Sequence, residues 1–148
     1  MTTQAIRAYH DLLTDELAAE SFGLLEEMMQ QRHLAFGTRL ICDVLRPHFL
    51  TPHHYAYLQK ACETLLGALQ RLFDVMLERP ALRAEAGLTA LEEAAFAIAP
   101  GYRIASPMGR FDSFLSPKPN GESTLHFVEY NAETPAGGGY EDLLGEAF

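Results

Sequence analysis

Met108-Gly109-Arg110-Phe111-Asp112-Ser113-Phe114-Leu115-Ser116 and Thr124-Leu125-His126-Phe127-Val128-Glu129-Tyr130-Asn131 decide how this chain is read. Both runs alternate apolar and polar side chains with a period of two, the pattern of half-buried strands. Between them lies Pro117-Lys118-Pro119-Asn120-Gly121-Glu122-Ser123, made of residues that turn a backbone. Together the three stretches predict an antiparallel hairpin with a polar loop. One pairing sets Ser116 against Leu125, Phe114 against Phe127, Asp112 against Glu129 and Arg110 against Asn131, and it brings two aromatic rings together. All four pairs then project from one face, apolar near the loop and strongly polar at the far end. His126 falls on the opposite face from Glu129 in that register and reads as a packing residue.

Upstream, the first hundred residues read as helical. A short helix is expected around Ile6 to Leu13. Thr14-Asp15-Glu16-Leu17 opens a longer one, a capping hydroxyl followed by two acids, with Leu24, Leu25, Met28 and Met29 at three- and four-residue spacing. Arg39 to Leu45 is a short apolar run that fits either a strand or a continued helix. Thr51-Pro52 starts a helical stripe of Tyr55, Leu58, Cys62, Leu65, Leu69 and Phe73, which Pro80 closes. Thr89-Ala90-Leu91-Glu92 matches a capping box, and the helix it begins ends near Pro100-Gly101. Downstream, Gly137-Gly138-Gly139 leads into a helix from Tyr140 to Phe148. The fold class is therefore α+β and helix-rich: a helical region over residues 1–100, then a hairpin and glycine-rich loop over residues 101–148. The chain stops on an aromatic without a convincing cap, which suggests the front part of a longer protein. Its last helix is expected to expose Leu143, Leu144 and Phe148, a surface through which copies of the chain could associate.

Composition narrows the function classes. The chain has 148 residues, 48% of them hydrophobic and 21% charged, as in an ordinary soluble domain. With 11 basic and 20 acidic residues its net charge is −9, which repels phosphate backbones and anionic lipid surfaces. Neither nucleic acid nor a membrane is an expected partner. Cys42 and Cys62 stand in apolar runs without metal-ligand spacing and read as reduced core thiols. No uncharged stretch is long enough to span a bilayer and no signal-peptide pattern opens the chain, so a cytoplasmic location is the default.

The chemistry concentrates at the open end of the hairpin. Two carboxylates directly opposite each other repel unless a cation lies between them. Arg110 can neutralise one, and Asn131 adds a carbonyl oxygen. Converging Asp, Glu and Asn oxygens suit a hard divalent ion such as Mg²⁺, completed by water and phosphate. A solvated strand face with one Arg–carboxylate pair is the simpler reading of the same spacing.

Gly109-Arg110-Phe111-Asp112 and Glu129-Tyr130-Asn131-Ala132-Glu133-Thr134-Pro135 resemble the G-R-F-D and E-Y-N-A-(D/E)-T-P motifs of glutathionylspermidine synthases and their circularly permuted ATP-grasp relatives. The resemblance covers about forty carboxyl-terminal residues. It implies that Arg110 contacts nucleotide phosphate in catalysis, that Asp112, Glu129 and Asn131 hold Mg²⁺, and that ATP drives ligation of a small-molecule or peptide carboxylate to an amine through an acyl phosphate. Two features depart from the family pattern. The connection between the motifs is longer, and Ala136-Gly137-Gly138-Gly139 replaces a threonine-serine stretch after the proline.

Read on its own, Gly137-Gly138-Gly139 fits either a flexible turn or a backbone cradle for an anion of the nucleotide. His48, His53 and His54 have no acid partner at zinc-ligand spacing, and no serine sits in a nucleophile-elbow context. Lysines that clamp a nucleotide are nearly lacking, only Lys60 and Lys118, so the expected role is the amino-terminal part of a ligase, inactive alone. The alternative is a non-catalytic helical binding or scaffolding domain whose hairpin carboxylates are incidental. A small metal-dependent phosphohydrolase ranks last, because no general base stands near the carboxylates.

Overall fold

Thr14 Oγ1 accepts a hydrogen bond from the Leu17 amide at 3.2 Å, starting a helix where the sequence places the cap. The computed structural model describes residues 2–99, 101–118, 122–132 and 136–148. Its helices are α1 (Thr2–Leu12), α2 (Asp15–Gln31), α3 (Pro52–Glu78), α4 (Pro80–Glu85), α5 (Ala90–Phe96) and α6 (Tyr140–Ala147). Its strands are β1 (Ala35–Phe36), β2 (Arg39–Leu40), β3 (Arg110–Pro117) and β4 (Ser123–Asn131). The described chain is 54% helical with two small antiparallel sheets, so the fold is α+β and helix-rich. The helix from Thr89 ends at Phe96, earlier than the expected stop near Pro100. Pro100 itself, the middle of the 117–123 loop and the Glu133-Thr134-Pro135 motif tail fall outside the described residues.

Two compact units divide the chain, Met1–Tyr55 with Ala136–Phe148, and Ala56–Pro135. In the first, α2 ends in a left-handed residue, His33, at φ 56°. The His33 amide reaches Gln30 O at 3.2 Å and the Leu34 amide reaches Met29 O at 2.9 Å, a Schellman ending. That motif brings an apolar residue beyond the cap onto one inside the last turn. Here the two are Leu34 and Met29, and with Leu25 they form the buried core among the described residues. Leu40, Ile41, Leu45 and, from α6, Tyr140, Leu144 and Ala147 pack around it. Leu144 is therefore not exposed as expected, whereas Leu143 and Phe148 are. Neither cysteine is disulfide-bonded or fully buried; Cys42 packs against this core, and burial raises the Cys62 thiol pKa.

In the second unit Pro80 opens α4 at its first position instead of simply closing α3. Arg83 turns back to cap α3, donating to Met76 O at 2.6 Å while pairing with Glu93 at 2.9 Å. The Thr89–Glu92 capping box forms as expected and lowers the Glu92 pKa, through hydrogen bonds to the Thr89 backbone and hydroxyl. Gln70 on α3 anchors the chain that leads into β3, donating to Arg103 O at 3.2 Å and accepting from the Ala105 amide at 2.8 Å.

β3 and β4 pair antiparallel, with Arg110 opposite Asn131, Phe111 opposite Tyr130 and Asp112 opposite Glu129. Between Asp112 and Ser113 the register shifts by one, and from there Ser113 faces Phe127, Phe114 faces His126 and Ser116 faces Thr124. The expected Phe114–Phe127 and Ser116–Leu125 pairs therefore do not form. Val128 is the extra residue, 62% exposed. Without it Tyr130 and Phe127, three apart, would sit on opposite faces. With it Phe111 stacks on Tyr130 at 4.4 Å and meets Phe127 at 5.3 Å, while Phe114 is 68% exposed on the polar face. The same shift moves His126 to the face of Glu129, where it is exposed rather than packed.

Phe111→Ala is expected to cost about 2–3 kcal/mol, somewhat below the range for fully buried phenylalanine. Phe114→Ala should stay within about 0.5 kcal/mol, as exposed substitutions do. Urea unfolding of both variants checks the bulge; equal losses would restore the unshifted register.

Candidate functional site

The pairing places Arg110 and Asp112 of the first motif beside Glu129 and Asn131 of the second on one hairpin face. Arg110 grips Asp112 two residues along the same strand, Nε to Oδ1 at 2.7 Å and Nη2 to Oδ2 at 3.3 Å. Its Nη2 also lies 3.9 Å from Glu129 Oε1 on the neighbouring strand. Asn131 donates from Nδ2 to the same Glu129 oxygen at 2.9 Å. The four predicted residues thus form one contiguous network of a cation, two carboxylates and an amide. All remain partly open to solvent.

The Arg110 hydrogen bond holds the Asp112 carboxyl below its ordinary range, and in return Asp112 raises the guanidinium pKa. Arg110 stays charged, and Asp112 stays ionised to a lower pH than an unpaired aspartate. The oxygens available are hard donors, and Asn131 keeps its carbonyl oxygen for another partner while its nitrogen serves Glu129. In donor chemistry the set fits Mg²⁺, with Arg110 on the Asp112 oxygens that such an ion would use. Among the described residues no three His, Cys, Asp or Glu side chains gather into a metal-binding group.

Behind the polar face lies a contact that the sequence reading did not anticipate. The Tyr130 ring covers Gly109, where an added Cβ would stand 2.5 Å from Cε2 and 2.6 Å from the hydroxyl. The Tyr130 hydroxyl donates to Ser106 Oγ at 2.7 Å, and Ser106 Oγ donates to the Ala132 carbonyl at 2.8 Å. No periodicity signals a serine three residues ahead of the glycine, and the contact shows only once the two strands are paired.

Gly137-Gly138-Gly139 belongs to the first unit, whereas the hairpin belongs to the second. Gly137 takes φ +120°, a conformation that glycine adopts readily, and its carbonyl accepts from the Tyr140 and Glu141 amides, both at 2.9 Å. Two of the amides at the start of α6 are thereby engaged, and Glu141 and Asp142 bring negative charge to its first turn. Among the described residues no helix is long and apolar enough to cross a membrane. Comparison with known proteins returns no matching family model, no matching curated protein and no matching solved structure.

Asp112, depressed in the folded state, contributes stability that is fully present above its unfolded pKa of about 3.9 and is lost as pH falls through the lower folded value. Carboxyl-carbon NMR should place its midpoint below 3.9, and Arg110→Gln should return it towards about 3.9. Gly109→Ala is expected to destabilise by about 1–3 kcal/mol, because the Tyr130 ring must move. In a Tyr130→Ala background that cost should largely vanish in a double-mutant cycle.

Proposed function

We propose that this chain supplies the metal- and phosphate-binding half of a Mg-ATP site in an ATP-grasp-type carboxylate–amine ligase. The observation that carries the reading is the register: Arg110 opposite Asn131 and Asp112 opposite Glu129, which joins the two motifs into one polar surface. Asp112 and Glu129 would supply carboxylate oxygens and Asn131 its carbonyl to the ion. A bound Mg²⁺ would offset charge on the nucleotide phosphates. Arg110, released from Asp112, carries a planar fork suited to a phosphate oxygen pair. In the ligase reaction the acceptor carboxylate takes the γ-phosphoryl group, ADP leaves, and the amine displaces phosphate to form the amide. With only Lys60 and Lys118 in the chain, clamping of the nucleotide by lysines falls to another module, and the chain by itself is inactive.

The alternative is a helical binding or scaffolding domain. It is favoured by large apolar side chains left open on and beside helices, Leu12 at 75%, Leu91 at 80% and Ile98 at 70% exposed.

Titration of the 148-residue chain with Mg²⁺, ATP and both together, followed by NMR, separates the two. Shifts confined to Arg110, Asp112, Glu129 and Asn131, strongest with both ligands and abolished in Asp112→Asn and Glu129→Gln, are the expected result. Shifts absent from the hairpin, or unchanged in both variants, would leave the binding-domain reading.

A further inference from the structure

We infer that Tyr130, acting with Ser106 and Gly109, is the positioning residue that holds Glu129 and Asn131 in register with Arg110 and Asp112; its role in binding rests on the Mg-nucleotide reading above. Arg110 and Asn131 form the last rung of the ladder at the open end of the hairpin. A terminal rung frays, because no further pair lies beyond it to hold the strands. In this hairpin, however, the functional side chains sit on that rung and on the rung two pairs in.

Tyr130 brackets both members of the last rung from the opposite face. Its ring stacks on Phe111 at 4.4 Å and covers Gly109, so it touches the residue on each side of Arg110. Its hydroxyl reaches Ser106 Oγ at 2.7 Å, and of the two carbonyls that Ser106 Oγ faces, Ala132 at 2.8 Å is nearer than Met108 at 3.2 Å and takes its proton. Asn131 is thus flanked by Tyr130 on one side and by a tethered Ala132 on the other. Ser106 lies ahead of β3, so the relay ties the end of one strand to the approach of the other. Gly109 completes the fit, since any side chain there meets the ring end that makes the hydrogen bond. This supplies a physical reason for the glycine of the first motif and the tyrosine of the second.

The test uses Tyr130→Phe and Ser106→Ala, which keep the ring and the backbone, with Ser106→Thr as the variant that retains the hydroxyl. Metal-free NMR reads the Arg110 Hε signal, downfield because of its 2.7 Å bond to Asp112, and the Asn131 side-chain amide. Hydrogen exchange of the ladder amides reports the fold. Tyr130→Phe and Ser106→Ala should broaden or collapse both side-chain signals while ladder protection inside Asp112–Glu129 persists, and Ser106→Thr should restore them. The Mn²⁺ concentration that gives half-maximal paramagnetic broadening should then rise by about 10–100-fold in the two loss variants, the affinity range for partners that orient metal ligands. Wild-type side-chain signals in both variants would overturn the inference. So would loss of ladder protection throughout, which would make the contact a support of the fold alone. If the signals respond as expected but Mn²⁺ broadens none of these residues in the wild type, the clasp stands and the metal reading falls.

Discussion

The parity of the β4 strand is the constraint on which the site depends. Glu129 and Asn131 must share one face, and Tyr130 and Phe127 the other, but Tyr130 and Phe127 are three residues apart. An unbroken strand cannot satisfy both demands, because alternate side chains point to opposite faces. The bulge at Val128 resolves the conflict by inserting one residue into β4 and returning Phe127 to the aromatic face. One side of the hairpin then packs Phe111, Phe127 and Tyr130, and the other is free to carry charge. Its cost is local: Val128 and Phe114 are left open to solvent.

This arrangement makes the charged face tolerable. Asp112 and Glu129 are direct cross-strand neighbours, a pairing that repels in isolation. Arg110 grips the first with two nitrogens and approaches the second, while the Asn131 amide donates to Glu129. Each carboxylate therefore has a donor. Because the group is partly exposed, water screens both attraction and repulsion, and its worth to stability is small. Aromatic packing behind the face, rather than ionic attraction across it, sets the strand register.

What could be read from the sequence follows the same division between strong local chemistry and long-range fit. Thr14 and Thr89 announced their helices because a capping hydroxyl acts within three residues of itself. The register of the hairpin was read from a Phe114–Phe127 pair that does not form; the Arg110–Asn131 and Asp112–Glu129 pairs are nevertheless as expected, because the shift lies between them and the loop. Val128 was not: in a run of alternating residues, an inserted position looks like any other until the opposite strand is counted against it. His33 was equally silent, since the left-handed position it fills usually holds glycine. β1 and β2 are two residues each, too short for any period to show, and Pro80 stops one helix only by beginning the next.

On that reading, the Arg110–Asp112 pair links the two ligands of the site. A divalent ion arriving alone competes with the guanidinium for the Asp112 oxygens and would release a cation beside its own charge. A phosphate arriving alone meets Glu129 and the same Asp112 beside the one arginine that attracts it. With both together, Arg110 would exchange a carboxylate for phosphate and Asp112 a guanidinium for the ion, so neither would be left unpaired. The coupling between metal and nucleotide would then be favourable, and by linkage each would raise the affinity for the other by the same factor. On the proposed reading, an Arg–Asp pair that looks like simple neutralisation of a strand face would favour the two ligands together over either one alone.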